Sequence, residues 1–149
     1  MKKKFKITIT IISLLIIGLF IHPEKVIYEA RIVGKILNEK GKPIHRAKVS
    51  RIEKKQTKHQ DGYFEYEEYK SETVSTDKNG QFILKEKQRI EWIHFPFELP
   101  YVWCYADFEV SKDNFKTYKT EFNDFNEYNE KNSGCENIIF YPSITLYEN

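Results

Sequence analysis

Beyond His22-Pro23 the sequence alternates apolar and polar residues with a period of two, a pattern that a pleated strand satisfies and a helix does not. From Val26 to Ile36 the even positions read Val26, Tyr28, Ala30, Ile32, Gly34 and Ile36, while Glu29, Arg31 and Lys35 fall on the odd ones. Residues 47–52 alternate again, and a polar excursion with an Asp61-Gly62 turn signal runs from Glu53 to Lys70. Glu72 to Thr76 and Gln81 to Lys85 flank a tight turn at Asp77-Lys78-Asn79-Gly80 and form a hairpin. Along Tyr101 to Ser111, Val102, Cys104, Ala106, Phe108 and Val110 share one face. Phe115 to Phe122 and Ile138 to Tyr147 complete the set, with Pro142 marking a bulge or an edge. Turn signals every 8–12 residues predict an all-β chain, a single antiparallel β-sandwich of about seven strands. Aromatics at 15%, with one Met and three Ala, suit strands better than helices.

Residues 1–21 follow another rule. Lys2, Lys3, Lys4 and Lys6 precede fifteen uncharged residues, Ile7 to Ile21, the pattern of an export signal with its basic end in the cytoplasm. As a helix that run spans about 22 Å against roughly 30 Å of hydrocarbon, so Phe5 and a snorkelling Lys6 are needed to extend it. No small-x-small pair follows it, which favours an uncleaved signal anchor over a cleaved signal peptide, and no nearby Cys offers a lipid attachment site. Residues 1–21 are therefore read as a hydrophobic signal or anchor helix and 22–149 as the body. The body faces the outer side of the inner membrane, or is released into the periplasm if the signal is removed.

The overall charge of +2 belongs to that leader. The other 128 residues carry 20 basic and 22 acidic side chains, which argues against nucleic-acid binding driven by general basic charge. The body is also too short for a TIM barrel. Cys104 and Cys135 are the only cysteines, and an exported domain meets an oxidising compartment, so a disulfide between them is expected over two unpaired thiols.

Two spacings carry a resemblance. Gly41-x-Pro43-x-x-x-Ala47-x-Val49 follows Val33-Gly34-Lys35-Ile36, and Thr76-Asp77-x-x-Gly80-x-Phe82 comes about thirty residues later. Together they resemble the carboxypeptidase regulatory-like domain, a small β-sandwich related in fold to transthyretin. Leu99-Pro100, the Tyr101 strand and Phe115-Lys116-Thr117-Tyr118 look like small exported bacterial proteins of that superfamily. The resemblance covers roughly residues 30–120 and implies a fold for 22–149. Its motif residues have structural roles: turns at Gly41, Asp77 and Gly80, a fixed φ at Pro43, and inward packing at Ala47 and Phe82. It implies no activity. Metallocarboxypeptidases owe theirs to a separate catalytic domain, and transthyretin-like hydrolases end Tyr-Arg-Gly-Ser, whereas this chain ends Tyr147-Glu148-Asn149.

No catalytic constellation, cofactor motif or metal-binding spacing emerges. His22, His45, His59 and His94 are scattered, and Asp77-x-Asn79-Gly80 lacks the Gly and Glu positions of a calcium loop. The chain is expected to be a binding protein and not an enzyme. Three loops are richer than strand packing requires. Tyr63 to Tyr69 mixes four aromatics with three acids. Trp92 to Phe97, with Tyr101 and Trp103, holds both tryptophans. Glu121 to Glu130 sets Phe122, Phe125 and Tyr128 among Asp124, Glu127 and other acids. Phe122, Asp124, Phe125, Glu127 and Tyr128 are candidate contacts for an envelope protein, which the acids would select for basic charge. The narrower expectation is immunity to a toxin delivered into the periplasm. The alternative is a carbohydrate or peptidoglycan module using Trp92 and Trp103 as stacking platforms.

Overall fold

A computed structural model of the chain describes residues 7–8, 10–13, 15, 18, 21–59, 61–93, 102–121, 124–130 and 134–149. Of the apolar run, the described residues 7–8, 10–13, 15 and 18 are helical, and no helix among the described residues is long and apolar enough to cross a membrane. The body is all-β. Its strands are β1 (Ile21–Glu29), β2 (Arg31–Asn38), β3 (Lys48–Lys58), β4 (Phe64–Ser75), β5 (Gln81–Leu84) and β6 (Lys87–Ile93). They continue as β7 (Val102–Tyr105), β8 (Phe108–Ser111), β9 (Tyr118–Lys119), β10 (Asn126–Asn129), β11 (Ile139–Phe140) and β12 (Ser143–Leu146).

This is not the expected single antiparallel sandwich of about seven strands. Among the described residues twelve strands form four sheets: β4-β3-β8-β9, a mixed sheet centred on β2, and the two-stranded ribbons β1-β6 and β7-β10. In the mixed sheet β5 pairs antiparallel with one edge of β2, while β11 and then β12 pair parallel with the other. Pro142 divides β11 from β12, because it has no N–H to give; its carbonyl accepts from Lys35 N at 2.9 Å and keeps the two pieces on one edge.

The extra sheets arise where two long alternating stretches change partners. Residues 26–36 break at Ala30 into β1 and β2, and 102–111 break at Ala106-Asp107 into β7 and β8. Both alanines are fully buried, and the backbone there bonds elsewhere: Ala106 N donates to Phe125 O at 3.0 Å and Ile52 N donates to Asp107 O at 2.9 Å. A small side chain lets the backbone turn between sheets without opening a gap, and the in–out alternation continues across the switch.

One apolar core joins the two larger sheets. Ile32, Ile36, Phe82, Leu84, Ile144 and Leu146 come from the mixed sheet, and Val49, Phe108 and Val110 from the other. The Phe82 and Phe108 rings lie 5.9 Å apart across the layer. Opposite Phe82 in the register stands Gly34, where an added Cβ would overlap the Phe82 ring. At the β4–β5 turn, Asp77 Oδ1 accepts from Asn79 N and Gln81 N, both at 2.8 Å. Gly80 there has φ +73°, and a Cβ would collide with Ile36 O, so the position needs glycine on two counts. Buried Thr76 accepts from Ala47 N and donates to Ile44 O, tying that turn to the start of β3.

Candidate functional site

The stretch read as a polar excursion is a ribbon. β3 and β4 pair from Lys48–Ser75 to Lys58–Phe64, and the turn closes through Gly62 N to His59 O at 3.0 Å. Only the inner half of β3, residues 48–51, also pairs with β8, so beyond Glu53 the ribbon is exposed on both faces. Its charges oppose one another across the strands: Lys54 faces Glu68 and Lys55 faces Glu67, an arrangement that favours this register. Tyr63, Phe64, Tyr66 and Tyr69 are all exposed. Lys58 lies 5.9 Å above the Phe64 ring, and Gln56 Nε2 donates to Tyr66 Oη at 3.2 Å.

Side chains at its base brace the ribbon. Lys70 pairs with Glu109 at 2.6 Å, and Lys119 with Glu68. On the other face Glu53 accepts from Lys87 and from Tyr69 Oη. Desolvation opposes ionisation of Glu53, but the hydrogen bonds from Lys87 and Tyr69 outweigh it and hold the carboxyl below its ordinary value. Beside this base a cavity of about 440 Å³ is lined by Ile52, Lys54, Glu68, Asp107, Lys119, Thr120 and Glu121; burial raises the Asp107 carboxyl within it.

The third loop proves partly structural. The Phe125 ring stacks on Phe108 with centroids 5.7 Å apart, so Phe125 belongs to the core edge. Asp124 Oδ2 accepts from Glu121 N at 2.9 Å and from Tyr118 Oη at 3.2 Å, which closes the turn into β10. Burial and Asp124 push the Tyr118 phenol up to about 12, so it remains a donor. Glu127 and Tyr128 are exposed on β10, a strand that the sequence pattern does not predict. Phe122 lies outside the described residues, as do His94 to Phe97 and Tyr101.

Tyr128 sits opposite Trp103 in the β7–β10 register, with ring centroids 5.1 Å apart. The structure thus joins one residue from the protein-contact set with one from the glycan set. Trp92 stands on the separate β1–β6 ribbon. Glu127, Glu130 and Glu136 line a groove of about 400 Å³ beside Tyr128. Among the described residues no group of His, Cys, Asp and Glu gathers as metal ligands would. A further cleft, about 650 Å³ between β5 and the Tyr141-Pro142 segment, is mostly apolar, and its carboxylate, Asp77, is engaged in the turn.

No family model, curated protein or solved structure matches the chain.

The sequence reading overlooked a buried ionic group. Arg51 is 0% exposed and donates to Glu29 Oε2 at 3.0 Å, Ala30 O at 3.0 Å and Lys85 O at 2.9 Å, with Glu72 3.9 Å away. The clue was parity, since Val49 and Arg51 share one side of β3 and buried Ala47 precedes them at the same spacing. Burial drives Glu29 up to about 7 although Arg51 opposes the shift. A carboxyl whose folded value lies above its ordinary 4.5 stabilises the fold fully at low pH, and that contribution is lost as pH rises through about 7. Thermal unfolding between pH 5 and 8 should show stability falling by about 2–3 kcal/mol, and Glu29→Gln should flatten the slope. Stability that instead rises across this range would contradict the assignment.

Proposed function

We propose that the chain is a non-enzymatic binding module, held at the outer face of the inner membrane by residues 7–21, that grips another envelope protein with the outer half of the β3–β4 ribbon. The observation carrying this reading is that Tyr63 at the turn and Phe64 and Tyr66 on β4 are exposed, and that among the described residues no third strand pairs with the outer half of the ribbon. Aromatics of this kind dominate interface energetics, and an exposed ribbon has the shape to enter a partner's groove. The opposed charges on β3 and β4 leave recognition there to aromatics and shape. A basic partner would instead be drawn to the Glu127, Glu130 and Glu136 groove. Immunity to a toxin delivered into the periplasm is the narrower form of this proposal. The buried Ala47 and Phe82 and the Asp77–Gly80 turn support the carboxypeptidase regulatory-like resemblance of the body.

A photocrosslinking residue placed at Tyr66 in the full chain, in cells, should yield a discrete protein adduct, while the same residue at exposed Tyr147 should not. No adduct from position 66 would remove the ribbon from consideration. The exposed Trp103–Tyr128 pair favours a second reading, stacking on a sugar ring. That reading requires Trp103 emission to respond to peptidoglycan fragments and the response to vanish in Trp103→Phe.

A further inference from the structure

We infer that the outer end of the β1–β6 ribbon lies on the lipid bilayer, with Ile90 and Trp92 seated at the level of the headgroups and upper acyl chains. This rests on the membrane tether proposed above. Ile21 is both the last residue of the apolar run and the first of β1, so the strand leaves the run with no intervening linker. Ile21 pairs with Ile93, which places the far end of β6 at the same boundary. At about 3.3 Å per residue, Trp92 and Ile90 then lie within roughly 10 Å of it.

The two faces of the ribbon differ in the way such a seat requires. Ile90 and Trp92, two residues apart, share a face and are 63% and 57% exposed. Ile93 is 62% exposed and Ile21 52% exposed at the tip. On the opposite face Arg89 pairs with Glu91 at 2.6 Å and lies 5.6 Å from the Tyr28 ring, so polar groups there satisfy one another. An isolated apolar face is unfavourable in water, whereas at a bilayer surface the Trp ring finds apolar and polar surroundings together. Lys25, directly across from Ile90, can bury its stem along that face and carry its ammonium to lipid phosphate. Chain continuity with the apolar run favours lipid over a protein as the occupant.

The chain has two tryptophans, so Trp103→Phe leaves Trp92 as the single reporter. That full-length variant is reconstituted into phosphatidylcholine–phosphatidylglycerol vesicles whose acyl chains carry bromine near the carbonyl or near the terminus. Trp92 emission should shift to the blue and be quenched mainly by the shallow bromines. Ile90→Ser should remove most of that quenching without altering thermal unfolding. A second chain with Leu15→Trp and both native tryptophans as Phe reports the tether. Deep quenching at position 15 with Trp92 open to aqueous iodide would overturn this inference and leave the tether standing. No lipid quenching at either position would overturn both. Trp92 shielded from iodide and lipid alike would mean that a protein or a second copy covers the ribbon, which also overturns it.

Discussion

Arg51→Ala should destabilise the body by about 3–5 kcal/mol, the range for removing one member of a buried ion pair. Against a total folding stability of about 5–15 kcal/mol, that loss leaves a marginal domain. Three pieces of chain depend on the guanidinium. It reaches from β3 to Glu29 at the end of β1, to Ala30 O where β1 gives way to β2, and to Lys85 O between β5 and β6. These are the points at which the β1–β6 ribbon joins the mixed sheet. Without Arg51, two carbonyls lose their donor and the void replaces a full-length side chain. Arg51→Met keeps most of the volume and should recover only the packing share. Arg51→Met with Glu29→Gln should lose less than the two single changes summed, because each single change strands the other group. Thermal unfolding of the full chain in mild detergent measures all four proteins. A loss under about 1 kcal/mol for Arg51→Ala would show that the group is dispensable.

Arg51 also shows where the sequence was legible and where it was not. Alternation predicts strands correctly wherever one face meets the core, as in β2, where Ile32, Gly34 and Ile36 are buried and Arg31 and Lys35 exposed. It fails on the outer β3–β4 ribbon, since a strand wet on both faces has no apolar period to detect. It fails again on β6 and β10, whose inner and outer residues do not sort by polarity. Sheet membership is hidden for another reason. A period of two passes unchanged through Ala30 and Ala106, so one alternating stretch and two strands in different sheets read alike. The parallel pairing of β12 with β2 depends on contacts between residues more than 100 apart, for which a single sequence holds no signal.

The candidate surfaces show the same division. Aromatic residues among acids were visible as a composition, but composition does not say which ring packs inward. Phe125 and Tyr128 differ by three positions; the first stacks on Phe108 and the second stands at the surface with Trp103. Strand geometry separates them, and that depends on β10 finding β7. The disulfide was legible because two cysteines leave one possible intramolecular pairing, and the structure contains that bond, with the Cα atoms 5.7 Å apart.

Replacing both partners, as in Cys104→Ala with Cys135→Ala, should lower stability by about 3–4 kcal/mol, the chain-entropy value for closing a loop of this length. The two residues are 31 apart, and the loop they close contains β8, β9 and β10. Most of the effect acts on the unfolded chain, so the double variant should keep its strands at low temperature and unfold earlier on heating. One native consequence is local. Cys135 N donates to Ile27 O at 2.6 Å while Cys104 lies on β7, so the bond clasps the β1–β6 ribbon to the β7–β10 ribbon. The near-ultraviolet signal of the Trp103–Tyr128 pair should therefore weaken before the far-ultraviolet signal of the sheets. Both sulfurs sit in buried residues, so reductant added to the folded protein should act slowly and the same reductant during refolding should act at once. An unchanged melting temperature in the double variant would show that packing alone holds these segments. A drop of the expected size would tie the fold to an oxidising compartment, since in a reducing one the body would lack a contribution comparable to that of Arg51.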